Sequence, residues 1–374
     1  MFKKLLLFIA ILTVQYSIGQ VTFKVEVPKG TSSQTSIYIS GDFENWSGGQ
    51  KAYQLSKKGN NYFITFPNQK GEINFKFTQG NWSTVEVGKN ESQIENRNYN
   101  FINKVDTVFV KIAKWYNKET KKSTAAKNVF VLTDDFDIPQ LSRERRIWIY
   151  LPPNYKKSTK LYPVIYMHDG QNLFDDKTSY AGEWEVDEIL NDLFKEKGLE
   201  IIVVGIDNGG EKRMSEYSPW ENSRYGKADG EAYVEFIVNT LKPLIDKTFR
   251  AKSDRKNTAI MGSSMGGLIS HYAGLKYPSV FGKVGVFSPS FWYAKPSFQF
   301  TAKNSNLEDT KMYYLVGGKE GDTMVPDMKK MIALMKTKGF KATNIFEKVV
   351  SDGKHTEAFW RKEFKQAILW MFAK

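Results

Sequence analysis

The 374-residue sequence has no cysteine. Disulfides, thiolate-bound metals and a cysteine nucleophile are therefore excluded, as is lipid attachment to an N-terminal cysteine. Histidine is nearly as scarce, with three residues, His168, His271 and His355. Any chemistry needing an imidazole base must choose among them. Acidic residues are outnumbered, 41 against 54 Lys and Arg, giving a net charge of +13. The lysines are scattered over strand ends and loops with no nucleic-acid motif beside them, so the charge reads as solvated surface and no nucleic-acid partner is expected. Attraction to an acidic polysaccharide or membrane surface stays open. Long apolar runs are confined to the first twenty residues. There Lys3 and Lys4 precede Leu5 to Val14, and Ser17-Ile18-Gly19 offers small residues for cleavage. This is the pattern of a secretory signal over residues 1–19, with an uncleaved anchor as the alternative. A chain beginning at Gln20 has no further membrane span and is expected to be soluble, and secreted or periplasmic.

What the sequence does have is apolar and aromatic. Hydrophobic residues make up 41%, and 26 Phe, 19 Tyr and 9 Trp bring aromatics to 14%. The length suits two domains. From Val21 to about Trp115 short alternating segments are separated by turn residues: Val21–Val27, Ser36–Ser40, Asn61–Phe66, Ile73–Phe77 and Asp106–Ile112. This predicts a small all-β sandwich over residues 20–117 without helix. Ile39 to Trp46, reading ISGDFENW, and Phe75 to Trp82, with Val85-Glu86 after it, resemble two signatures of the immunoglobulin-like modules that bind starch and glycogen. The resemblance implies a carbohydrate-binding-like module in which Trp46 and Trp82 would stack on a glucan or other glycan. A packing or orienting role without sugar is the alternative.

Residues 118–127, KETKKSTAAK, have no apolar period and read as a linker. Beyond them strands alternate with helices, which predicts a mostly parallel sheet covered by helices on both faces over residues 128–374, an α/β class. A long helix is expected from Gly230 to Phe249 with a kink at Lys242-Pro243.

Within that pattern the apolar run Thr258 to Met261 leads into Gly262-Ser263-Ser264-Met265-Gly266-Gly267 and then a helical stretch. This is G-x-S-x-G between a strand and a helix, the setting that exposes a nucleophilic serine on a strained turn. A side chain two residues before or after Ser264 is expected to strike backbone. The Met265 amide would face an oxyanion. Chain order in this fold runs serine, acid, histidine, and only His355 lies late enough to be the base. Glu320, after the strand ending at Val316, is the favoured acid, with Asp322 as rival and Asp352 third. The loop after Met167, His168 to Asp175, should give the second oxyanion amide, from Gln171. Aromatic and basic residues in two loops, 207–226 and 289–305, are the specificity candidates: Arg213, Tyr217, Trp220 and Trp292, with Arg224 and Tyr225 nearby. The alternative is that these aromatics pack the loops down. The mechanism needs no metal or cofactor.

Leu151-Pro152-Pro153, His168 to Asp175, Gly262 to Gly267, Tyr277-Pro278 with Phe281, Ser288 to Trp292, and Gly353 with His355 together resemble the esterase family of the α/β-hydrolases that includes esterase D-like, feruloyl, acetyl-xylan and siderophore-trilactone esterases. The resemblance implies family roles for Ser264 and His355 and does not decide between Glu320 and Asp322. The expected partner is a small-molecule or glycan-linked ester, probed as an acyl or feruloyl ester of carbohydrate. Siderophore-trilactone hydrolysis, acyl transfer or peptidase activity on the same fold, and a non-catalytic glycan-binding protein are the rival readings.

Overall fold

The computed structural model describes residues 20–373 except 68–69, 90–93, 103, 117–121, 180–181, 224–225 and 305–308. The expected signal segment, and Arg224 and Tyr225, lie outside the described residues. The chain divides into two compact units, Met1–Tyr116 and Asn117–Lys374.

In the N-terminal unit, β1 (Gln20–Glu26), β3 (Ser56–Lys58), β4 (Asn61–Pro67) and β8 (Asp106–Lys111) form one sheet in the order β3-β4-β1-β8. A second sheet has β2 (Tyr38–Gly41), β5 (Lys70–Thr78) and β7 (Arg97–Ile102), and β6 (Glu86–Val87) pairs with β9 (Lys114–Trp115). Alternate side chains enter a common core: Val21, Phe23 and Val25 from one sheet meet Ile39, Phe75 and Phe77 from the other. Where the sequence predicts no helix, 3-10 turns occupy Asp42–Glu44, Lys51–Tyr53 and Trp82–Thr84 among the described residues.

The C-terminal unit is built on an eight-stranded sheet: β10 (Val129–Ile138), β11 (Arg143–Tyr150), β12 (Val164–His168), β13 (Ile202–Ile206), β14 (Thr258–Ser263), β15 (Lys283–Phe287), β16 (Lys311–Gly317) and β17 (Ile345–Val350). The order is β10-β11-β13-β12-β14-β15-β16-β17, parallel from β13 onward, with β11 antiparallel to both its neighbours. The central strands are apolar along their whole length because both faces are covered. Val164 and Tyr166 point into one core, and Ile165 and Met167 into the other. The chain leaves β12 for β13 on one side and β14 continues on the other. The order therefore reverses at β12, and the crevice there is where open α/β sheets place ligands.

Helices α1 (Val186–Lys197) and α8 (Glu357–Phe372) cover one face, and α5 (Met265–Lys276) and α7 (Met324–Thr337) pack on the other. The expected long helix is helical from Gly230 to Thr248 with a π turn, Ile237–Leu241, just ahead of Pro243. Proline has no N–H to donate, and the ladder widens by one residue where that donor is missing. The segment 289–305, read from sequence as a loop, contains a helix at Pro296–Asn304. The segment 207–226 is tied to the sheet edge: buried Glu216 accepts from Arg143 at 2.7 Å and from Arg145 at 2.7 Å.

The expected linker also differs. Of 118–127, residues 118–121 lie outside the described residues, and Ser123, Thr124 and Ala126 are hydrogen-bonded to Asp175, Glu183 and Asp187 of the same unit. Ser123 and Thr124 are exposed on one side and satisfy buried carboxylates on the other.

Candidate active site

Ser264 follows β14 directly and opens α5, with φ 60° and ψ −121°. A serine in this glycine-favoured region is strained, and the flanking hydrogen bonds hold it there. Its N–H donates to Phe287 O at 2.9 Å, and its carbonyl accepts from Ser290 N at 3.2 Å. The glycine requirement holds at Gly262, where a Cβ would lie 2.9 Å from the backbone of Gly266. At Gly266 the nearest atom would be His168 Cβ at 3.4 Å, so the expected backbone collision is not there. Gly267 is the tight one, with Phe287 O 2.7 Å from the would-be Cβ, because this side of α5 lies against the end of β15.

Ser264 and His355 line one cavity of about 170 Å³. Its walls also include His168, Asp169 and Asn172 from the loop after β12, with Arg213, Trp184, Glu357 and Trp360. His355 Nδ1 lies 2.8 Å from Glu320 Oε2, and the Glu320 side chain has no exposed surface. The other carboxylate oxygen accepts from Gly317 N at 2.7 Å and Ser288 Oγ at 2.7 Å. Ser288 in turn accepts from Trp360 Nε1 at 2.8 Å, and the His355 ring meets the Trp360 ring edge-on at 5.0 Å. A buried carboxylate fixed at both oxygens orients an imidazole and favours its cation. Asp322 and Asp352 are exposed, and the partner of His355 is Glu320.

The other two histidines have ordinary structural places. His168 Nδ1 is 2.8 Å from Tyr233 Oη, and His271 lies between Tyr314 Oη and Thr301 Oγ1, each at 2.8 Å. Burial pushes both down to about 3, so both are neutral at pH 7.

The expected specificity residues sort differently. Arg213 does line the cavity, but its guanidinium clasps Asp169 through Nε to Oδ1 at 2.7 Å and Nη2 to Oδ2 at 2.9 Å. Burial raises the Asp169 carboxyl, and the Arg213 charge with hydrogen bonds from Arg213 and Asn208 more than reverses it, leaving it below its ordinary value. Tyr217 is fully buried and accepts the Asp169 N–H at 3.1 Å, so it supports the loop instead of facing substrate. Trp220 packs edge-on against Tyr272 and Phe300, away from the cavity. Trp292 is 41% exposed, beside Tyr293, and does not line the cavity either. Gln171 lies outside the lining, while its neighbour Asn172 is within it. The Gln171 side chain accepts from Asn208 N at 3.1 Å and its carbonyl from Thr178 Oγ1 at 2.7 Å.

The aromatic walls that sequence reasoning missed are Trp184 and Trp360. Trp360 stands five positions after His355, a spacing that could have flagged it. Trp184 had no such signal.

In the N-terminal unit Trp46 and Trp82 are neighbours, with ring centroids 5.8 Å apart and Trp82 Nε1 donating to Trp46 O at 2.6 Å. Both are half-buried. The loop carrying Trp46 is organised by buried Glu44, which accepts the N–H groups of Gly41 and Ser47, each at 3.0 Å.

A parallel sheet with a strained serine at its switch point and a histidine after its last strand defines an α/β-hydrolase. Within that class residues 138–371 match the family model described as "Putative esterase", and the chain belongs to that family of carboxylic ester hydrolases. It is 29% identical over 244 residues to the uncharacterized protein YbbA of Bacillus subtilis, covering 62% of this chain and 93% of that one. It is 28% identical over 222 residues to an endo-1,4-beta-xylanase/feruloyl esterase of Xylanibacter ruminicola, covering 57% of this chain and 27% of that protein. A shorter match, 32% over 97 residues, is to an alpha-amylase of Niallia circulans, covering 25% of this chain and 8% of the amylase. Among solved structures, enterochelin esterase from Shigella flexneri matches with a TM-score of 0.55 at 17% identity, covering 95% of this chain and 92% of that one. A ferulic acid esterase matches with a TM-score of 0.52 at 19% identity, covering 65% of this chain and 98% of that one. At such identities the structural likeness speaks for the fold alone.

Proposed function

We propose that this ester hydrolase works through a serine acyl-enzyme, with Ser264 as nucleophile, His355 as base and Glu320 as the acid that orients it. The observation that supports this most directly is the 2.8 Å His355–Glu320 hydrogen bond at a cavity shared with Ser264. His355 takes the Ser264 proton as the oxygen attacks the ester carbonyl. The Met265 amide, at the N-terminus of α5, and an amide of the turn following Asp169 hold the oxyanion. The alcohol leaves with the proton from His355, and water deprotonated by the same ring releases the acid.

The substrate class we propose is an acyl or feruloyl ester of carbohydrate, met by a secreted enzyme. The likeness to a xylanase/feruloyl esterase supports the acyl group. The paired Trp46 and Trp82 and the short alpha-amylase match support a glycan contact in the N-terminal unit. The basic and apolar start of the chain supports export. A sequence match, 28% over 166 residues, to an iron(III) enterobactin esterase of Dickeya dadantii favours a second reading, hydrolysis of a siderophore trilactone. A panel of p-nitrophenyl acetate, methyl ferulate, acetylated xylan and a catecholate trilactone, each beside Ser264→Ala, separates them. Serine-dependent turnover on methyl ferulate or xylan is the expected result. Turnover on the trilactone alone moves the substrate to the second reading, and full turnover by Ser264→Ala removes the mechanism.

A further inference from the structure

The stretch ahead of β10 does more than connect. Ser123 Oγ donates to Asp175 Oδ2 at 2.7 Å, and Thr124 N donates to Asp175 Oδ1 at 3.1 Å. The Thr124 hydroxyl donates to Glu183 Oε1 at 2.7 Å and accepts the Asp176 N–H at 2.8 Å. Two residues on, Ala126 N donates to Asp187 Oδ2 at 2.7 Å. Asp175, Glu183 and Asp187 are all buried. Thr124 thus joins two points of one chain segment, Asp175-Asp176 and Glu183, through a single side chain.

The two tied points are flanked by cavity-lining residues. Asn172 stands just before the first tied point and Trp184 just after the second, and both line the cavity with Ser264. Trp184 N donates to Asn172 O at 2.8 Å, and Val186 N to Leu173 O at 3.0 Å. The Trp184 ring stacks on Phe287 at 5.4 Å and touches Trp360 at 5.9 Å. Trp360 is the residue that packs on His355 and donates to Ser288, which donates to Glu320.

We propose that Thr124 is a positioning residue for ester hydrolysis: it ties Asp175-Asp176 to Glu183 and thereby fixes Asn172 and Trp184 against the Trp360 and His355 side of the cavity. The proposal rests on the assignment of Ser264 and His355 to the reaction. Packed walls pass on small displacements because close-packed side chains have few alternative arrangements. A valine at 124 keeps the shape and removes both hydroxyl bonds. It leaves a buried Glu183 oxygen without that partner, which costs more than losing the exposed Asp176 N–H bond. A serine at 124 keeps both.

The test is steady-state hydrolysis of p-nitrophenyl acetate and methyl ferulate by the full chain, as wild type, Thr124→Val, Thr124→Ser and Ser264→Ala, with thermal midpoints measured alongside. Thr124→Val is expected to raise KM about tenfold while kcat falls less than about threefold, and Thr124→Ser to stay within about twofold of wild type on both. Ser123→Ala, a milder change that removes the neighbouring bond to Asp175, is expected to raise KM about threefold, and it serves if Thr124→Val does not fold. Wild-type KM and kcat in Thr124→Val overturn the proposal. So does a loss confined to kcat that follows the unfolded fraction. If instead Ser264→Ala hydrolyses like wild type, the site assignment fails and not the role of Thr124 as a pin.

Discussion

The two units treat their signature residues differently. In the C-terminal unit the residues of widely separated motifs, Ser264, Glu320 and His355, are brought to one end of one sheet. In the N-terminal unit the polar groups of the signatures are mostly taken up locally: Glu44 holds Gly41 and Ser47, Asp42 accepts the Asn74 N–H at 3.1 Å, and the Trp46–Trp82 pair is left half-open. A motif whose polar groups are spent on its own loop specifies a shape. A motif whose polar groups wait for partners far along the chain specifies chemistry.

That contrast can be broken in several ways. The largest effect should come from Ser264→Ala, with kcat for p-nitrophenyl acetate reduced by about 10⁴-fold or more and the thermal midpoint held or raised. Next is Glu320→Gln, expected to lower kcat about 10²- to 10⁴-fold because the amide orients the imidazole differently. Asp322→Asn measured beside it should stay within about twofold, and equal losses in the two would reopen the choice of acid. In the other unit, Trp46→Ala or Trp82→Ala should abolish retardation of the full chain in glucan affinity electrophoresis while ester kinetics stay within about twofold. Unchanged retardation would leave the pair as packing.

The smallest effect concerns pH. Burial pushes Glu183 from 4.5 up to about 7. Burial also raises Asp187, with the Ala126 N–H pulling against it and neighbouring Glu188 adding to it. Between about pH 4.5 and 7 the unfolded chain has released the Glu183 proton while the folded protein retains it, so stability declines as pH rises through that window and levels above it. Thermal midpoints measured across this range should fall in wild type and fall less in Glu183→Gln. Parallel curves would show that Glu183 does not set the slope.

The elbow was legible from sequence because strand, turn and helix are consecutive, so its context is written in one stretch. His355 was legible by elimination, since only three histidines exist. The carboxylate beside His355 was legible to within neighbours. Gly317 N reaching back to Glu320 is a tertiary turn that composition does not announce. The place of Arg213 at the cavity was legible but its partner was not, because Asp169 lies 44 positions earlier in sequence, and Tyr217 is buried beneath that same residue. Trp184 and Trp360 were invisible because an aromatic in a cavity wall and one in a core have the same local pattern. Ser123 and Thr124 read as tether because hydroxyls in a polar run signal solvent as readily as buried carboxylate partners.

The backbone at Ser264 has a further consequence. Its φ of 60° with ψ of −121° is a conformation that glycine adopts freely. Glycine there would relieve strain of about 1–3 kcal/mol, of which its looser unfolded chain gives back about 0.5–1 kcal/mol. By this measure the protein would resist heat better without the serine proposed as its nucleophile. If Ser264 is the nucleophile, position 264 is thus a place where thermal endurance and turnover ask for different residues.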